Sequence, residues 1–298
     1  MSLLPLNVGD EAAIRRALDE DGYARIVGAV DRELVESLRR DVEEILSQTG
    51  WLRLGILGGR TSSVRTEAFS RIQALETLHR AASSPELLRA LSRVLDGDVF
   101  CHPRKTVRIV APGTVEETTQ PHQDYPYIQG TIDALTCWLP FHDVPLERGP
   151  LRVVPGSHRA GLLPMGYVSG DGGVGVKNPP QSGWAADDIH QGDIVVFRST
   201  LVHAALPNLT TDFRLSVDFR CQRTCDEVCE PETKPYPDFL GRSSWAQIGG
   251  DVWSAATLAS CTPPNLRTVP FVAPKDLDTW LADLQALVTR GSAIWDEP

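Results

Sequence analysis

Apolar residues recur at three- and four-residue spacing over residues 10–18 and again over residues 31–46, the period that gives a helix one buried face. Asp10 and Asp31 stand at the head of these runs, where a carboxylate accepts hydrogen bonds from the free amides of a first helical turn. Between them, Tyr23-Ala-Arg-Ile-Val reads as a short strand. A third helix is predicted over residues 84–95, with Pro85 in its first turn and Gly97 just past its end. After Gly97 the texture changes to strand-like runs at 99–110, 134–141, 151–154, 194–197 and 215–221, punctuated by Gly and Pro. Helices first and many short strands afterwards predict a helix-flanked antiparallel barrel. Residues 159–188 and the stretch from Thr224 to about Pro270 read as long irregular loops, of a length that usually serves as lids or binding loops.

The chain has 298 residues and 42% hydrophobic content, enough for a large core in one extended domain. That domain divides into a helical N-terminal part (1–97), a strand-rich core (98–222) and a C-terminal extension (223–298). Asp and Glu number 39 against 29 Lys and Arg, a balance that disfavours an extended phosphate-binding surface and with it a nucleic-acid partner. Residues 1–8 lack the basic region and apolar run of a secretory signal. No stretch approaches the roughly 18 apolar residues of a membrane span. The expectation is a soluble, cytoplasmic protein without a membrane partner, either monomer or homodimer. Six cysteines, at 101, 137, 221, 225, 229 and 261, show no paired framework, so most are expected to be free thiols. The four-residue intervals of Cys221, Cys225 and Cys229 lack a CxxC or His partner and make a poor metal signature.

Candidate chemistry concentrates in His122-Gln123-Asp124, His203, Arg214 and Ser216. Two imidazoles and one carboxylate are the ligands of a facial triad, which holds Fe(II) on one face and leaves the other open. In an extended strand residues i and i+2 share a side, so His122 and Asp124 aim together while Gln123 faces away. The same three ligands with an activated water also suit a zinc hydrolase. A non-catalytic jelly-roll protein that binds a metal or small ligand as a sensor or scaffold is a further reading, although it has no need of His122, Asp124, His203 and Arg214 together.

The runs 149–158 (Gly-Pro-Leu-Arg-Val-Val-Pro-Gly-Ser-His), 192–197 (Gly-Asp-Ile-Val-Val-Phe) and 202–208 (Val-His-Ala-Ala-Leu-Pro-Asn) occur in order. Together they resemble the phytanoyl-CoA dioxygenase family of Fe(II)- and 2-oxoglutarate-dependent oxygenases. The resemblance extends from the N-terminal helix to about Arg220 and implies a mainly β fold, a double-stranded β-helix (jelly roll, cupin-like) with flanking helices. It also implies Fe(II), 2-oxoglutarate and O2 as cofactors, with His122, Asp124 and His203 as iron ligands. Arg214 takes the place of the arginine that pairs with the distal carboxylate of 2-oxoglutarate, through a rigid planar fork that lysine lacks. Ser216, Gln120 and Trp138 are implied as further cosubstrate contacts. Some members carry a cosubstrate-binding lysine where this chain has Ala111, and Lys105 and Arg108 are the candidates to replace it. Asp124 stands where related halogenases have a small residue, so oxidation rather than halogenation is expected, most simply hydroxylation, with desaturation, epoxidation and ring formation open as uses of the same oxidant.

A small-molecule substrate, a natural-product intermediate, is expected, because no basic cluster suited to a nucleotide phosphate is visible. Tyr125, Tyr127, Arg60, Arg65 and His158 are the candidate substrate contacts. His142 alternates with Phe141 at a strand end, and His79, His102 and His190 have no partner pattern and read as surface or packing residues.

Overall fold

The computed structural model describes residues 2–51, 62–113, 118–168, 173–235, 241–273 and 276–293. The predicted helices are present as α1 (Glu11–Glu20), α2 (Arg32–Gln48) and, after α3 (Ser62–Gln73) and α4 (Glu76–Ala82), as α5 (Pro85–Leu95). Asp10 accepts from the Ala13 amide at 3.1 Å and Asp31 from the Leu34 amide at 2.8 Å, so both caps act as the sequence suggested. Pro85 opens α5, and Asp96 closes it in the left-handed region.

The strands are β1 (Pro5–Asn7), β2 (Tyr23–Val27), β3 (Val99–Cys101), β4 (Thr106–Val110), β5 (Leu135–Pro140), β6 (Leu151–Val153), β7 (Met165–Tyr167), β8 (Val174–Val176), β9 (Ile194–Arg198), β10 (His203–Ala205), β11 (Arg214–Arg223), β12 (Val228–Cys229) and β13 (Thr268–Val269). The large sheet runs β1-β2-β9-β5-β11-β3, with β4 beside β3 on the same edge of β11. A short second sheet pairs β6 with β10. These sheets are the two layers of the jelly roll expected from the resemblance.

Alternation along the strands explains how the layers fill. On β11, Leu215, Val217, Phe219 and Cys221 pack with Leu135, Cys137 and Leu139 of β5 against the apolar faces of the helices. The intervening residues, Arg214, Ser216, Asp218, Arg220 and Gln222, therefore face the other way, and they too are buried. Trp138, Val195, Phe197, Leu151 and Val153 form a separate apolar cluster on that inner side. One strand thus carries a greasy face toward the helices and a polar face into the barrel. Phe219→Ala, on the helix side, is expected to lower unfolding free energy by roughly 3–5 kcal/mol, measured as a lower denaturant midpoint.

Several expectations are corrected. The run 99–110 is two strands rather than one, because the chain between β3 and β4 turns to bury Lys105, whose Nζ donates to the His102 and Pro103 carbonyls. The stretch expected as one irregular loop beyond Thr224 holds β12, β13, α7 (Trp245–Gly249) and α8 (Ala255–Cys261), and 159–188 holds the β7–β8 hairpin. A final helix, α9 (Leu277–Ala293), follows, with Trp280 and Leu284 buried. Cys221 and Cys101 face each other across β11 and β3 and form a disulfide, while Cys137, Cys225, Cys229 and Cys261 are free. No helix among the described residues is long and apolar enough to cross a membrane.

The C-terminal helices dock on a buried histidine. His79 lies against the rings of Trp245 and Trp253, its Nε2 is 2.9 Å from the Gln73 carbonyl, and its Nδ1 is 3.1 Å from Cys261 Sγ. Burial first, then the neighbouring Lys105 charge, pushes its pKa down to about 3. A group depressed in the fold contributes stability above its unfolded value, about 6.5, and loses it as pH falls toward 3. Stability is expected to fall by about 1.4 kcal/mol per pH unit below 6.5 from this group. Denaturant midpoints at pH 5 and pH 7 should differ less in His79→Gln than in the native chain.

Candidate metal centre

His122 and His203 face each other across an antiparallel bridge, each amide donating to the other's carbonyl at 3.0 Å. Their rings lie 4.1 Å apart between centroids. His122 Nδ1 is 2.8 Å from the Gln120 carbonyl, and His203 Nδ1 is 3.0 Å from the Leu201 carbonyl. A carbonyl only accepts, so each Nδ1 carries the proton and each Nε2 keeps its lone pair for a metal.

Beyond the bridge the chain does not continue as the expected strand. Asp124 turns helical (φ −77°, ψ −32°) at the head of α6 (Tyr125–Ile128), with Pro126 in that helix's first turn. The carboxylate still converges on the histidines: Oδ1 is 3.6 Å from His122 Nε2 and 3.8 Å from His203 Nε2. Ligand atoms of all three residues lie within 4.8 Å of one another. The outer oxygen, Oδ2, accepts from Thr136 Oγ1 at 2.6 Å and from Arg220 Nη2 at 3.3 Å. Burial alone would raise the Asp124 pKa, but Arg220, His203 and His122 hold it well below the usual carboxylate range. Burial, with His122 beside it, pushes His203 down to about 4. An anionic carboxylate and two imidazole lone pairs are the donor set that a divalent iron ion needs.

Two pockets meet at this point. One, about 20 Å³, is lined by Arg214, Trp138, His203, Leu151, Arg108 and Thr119, among others. Arg214, at the start of β11, is 2% exposed and donates through Nη1 to the Gly149 carbonyl. Gly149 holds φ +77°, and a Cβ there would lie 2.3 Å from the Leu206 carbonyl, so only glycine lets the backbone come this close. The other cavity, about 290 Å³, is lined by His122, Asp124, Tyr127, Arg104, Arg108 and Arg220, with Ile128, Val174 and Glu232 in its wall.

The other predicted residues divide between these pockets and the surrounding packing. Ser216 Oγ accepts from the Trp138 indole at 3.1 Å, which joins two predicted cosubstrate contacts behind Arg214. Gln120 orients His122 through its carbonyl, and its side-chain amide donates to the Thr118 carbonyl. Of the two candidates to replace the lysine, Arg108 lines both pockets with its Nε on Asp218 at 2.8 Å, whereas Lys105 is buried with its Nζ on the His102 and Pro103 carbonyls. Tyr127 lines the large cavity and donates to the Val174 carbonyl. Tyr125 packs instead with Leu162, Met165, Trp280 and Leu284. His158 lies over Gly22 with Nε2 at 3.2 Å from the Asp19 carbonyl, and Arg65 is exposed above the Phe69 ring. Both stand apart from the residues that line the cavities. Arg60 falls outside the described residues. Thr136, Arg220 and Glu232 were not singled out from sequence, although the polar alternation of β11 carried the signal for Arg220.

A family model described as phytanoyl-CoA dioxygenase (PhyH) matches residues 18–216. The chain belongs to this family. As a family member it is an Fe(II)- and 2-oxoglutarate-dependent oxygenase, and the zinc hydrolase and sensor readings fall away. Among curated relatives, 1-deoxypentalenic acid 11-beta-hydroxylase of Streptomyces arenae is 27% identical over 253 residues, covering 77% of this chain and 87% of that protein. Human peroxisomal phytanoyl-CoA dioxygenase is 23% identical over 221 residues, covering 68% of this chain and 65% of that protein. Among solved structures, the apo non-heme monooxygenase ThoJ aligns with TM-score 0.57 at 19% identity, covering 94% of this chain and 96% of its own. EctD from S. alaskensis aligns with TM-score 0.54 at 19% identity, covering 88% of each chain. Both carry the same fold.

Proposed function

We propose that this oxygenase hydroxylates a small natural-product intermediate held in the large cavity, with iron on His122, Asp124 and His203 and 2-oxoglutarate anchored by Arg214. The observation that carries the reading is the convergence of three ligand atoms at the place where the Arg214 pocket and the 290 Å³ cavity meet. When bound, iron with 2-oxoglutarate and O2 supplies the oxidant for an unactivated C–H bond, with succinate and CO2 as co-products.

The chain's own residues bind, orient and exclude water. Arg214, fixed by the Gly149 carbonyl, offers its fork to the distal carboxylate of the cosubstrate. Trp138, in the wall of that pocket, is locked to Ser216, and Arg108 adds a second cation to the same wall. Tyr127, Ile128 and Val174 give the substrate cavity an apolar side, and Arg104, Arg108 and Arg220 outnumber the acids Asp124 and Glu232 in the rest of its wall. A compact carboxylate-bearing intermediate suits this lining, as does the action of the Streptomyces relative on 1-deoxypentalenic acid. Tyr127 keeps its phenol proton, because burial and the Asp124 charge raise its pKa to about 12.

The experiment is succinate release by the iron-loaded protein with 2-oxoglutarate and O2, across a panel of terpenoid acids and their methyl esters. Stimulation by acids, with a hydroxylated product by mass spectrometry, is expected. Equal indifference to every small acid and ester would overturn the substrate class.

A further inference from the structure

Arg220 lies beyond the segment matched by the family model, on the inward face of β11. Its side chain is buried, Nη2 is 3.3 Å from Asp124 Oδ2, and Nη1 is 3.1 Å from Thr106 Oγ1. Thr136 Oγ1 donates to the same Oδ2 at 2.6 Å. The two oxygens of Asp124 therefore face different surroundings. Oδ1 is the atom near both imidazole nitrogens, while Oδ2 is held from behind by a hydroxyl and a guanidinium.

A carboxylate can meet a divalent ion through one oxygen or two. Swinging Oδ2 toward the ion would part it from a buried guanidinium and take from a buried hydroxyl the oxygen it donates to, which is unfavourable in a low-dielectric interior. We propose that Arg220 is a positioning residue of the metal centre: with Thr136 it pins Oδ2 so that Asp124 binds iron through Oδ1 alone, and its charge limits how much electron density Oδ1 donates. This rests on the metal-centre reading above. The division of labour follows from chemistry. Thr136, being neutral, fixes direction, whereas Arg220 fixes direction and charge together. Single-oxygen binding keeps the remaining coordination positions available for cosubstrate and oxygen.

The test compares the native chain with Arg220→Gln and Arg220→Lys, using Co(II) alone and then Fe(II) with 2-oxoglutarate under anaerobic conditions. Expected for Arg220→Gln is a changed Co(II) ligand-field spectrum, from a second carboxylate oxygen joining the ion. Its Fe(II)–2-oxoglutarate charge-transfer band should move to longer wavelength, from a more electron-rich metal. Arg220→Lys keeps the charge but not the fork, so its band should stay near the native position while its Co(II) spectrum still changes. A folded Arg220→Gln that coincides with the native chain in both spectra overturns the proposal. If Arg220→Gln does not fold, a Co(II) spectrum of Arg220→Lys identical to the native one overturns it equally. A native chain that binds Co(II) but gives no charge-transfer band removes the cosubstrate reading instead, and the Co(II) spectra alone then decide the role of Arg220.

Discussion

His122→Ala is expected to lose Fe(II) binding and with it all iron-dependent succinate formation, while the fold stays intact. Changing a residue behind a metal ligand already lowers affinity or activity by about 10- to 100-fold, and removal of the ligand itself should go beyond that range. The fold survives because the bridge between His122 and His203 is made by backbone amides and carbonyls, which alanine retains. Far-ultraviolet circular dichroism and an Fe(II) titration of the same sample check both halves. A variant that still gains thermal stability from Fe(II) as the native chain does would remove His122 from the ligand set.

Arg214→Lys is expected to raise the 2-oxoglutarate concentration for half-maximal turnover by about ten- to a hundredfold, the range for one lost hydrogen bond to a charged group. Lysine carries the same charge, but it is a single point rather than a planar fork. Its ammonium also lacks the geometry to hold the Gly149 carbonyl and a carboxylate together. Arg214→Ala should abolish the charge-transfer band altogether. The readouts are the cosubstrate dependence of succinate formation for the first variant and anaerobic absorption spectroscopy for the second. Unchanged cosubstrate dependence in the lysine variant would move the anchor elsewhere, with Arg108 the first residue to examine.

Much of this was legible because periodicity is local. Asp10 and Asp31 marked helix starts, and Arg214 and Ser216 fell on one strand face with no knowledge of which strand lay beside them. What depended on distant partners was not legible. The pairing of Cys101 with Cys221 follows from the register of β3 on β11, and no spacing rule reports register. Tyr125 and Tyr127 looked alike from sequence. On a helix, residues two apart point about 200° apart, onto nearly opposite sides, so Tyr127 reaches the cavity while Tyr125 turns back into a cluster supplied by α9. Glu232 enters the cavity wall from the extension, its carboxylate held by His102 at 3.2 Å, and His102 in turn by Gln222 at 2.7 Å. His102 therefore belongs to a polar network beside the site rather than to ordinary packing.

The facing histidines also bear on how long a molecule of this protein lasts in the cell. Two segments far apart in sequence meet there through a short run of backbone hydrogen bonds, the His122–His203 pair flanked by Ala205 to Thr119 and Tyr125 to Ser199, and an ion held by both side chains would staple them. Chains made when iron is scarce should open more often at this seam and meet proteases sooner. Iron supply would then set the amount of enzyme as well as its activity.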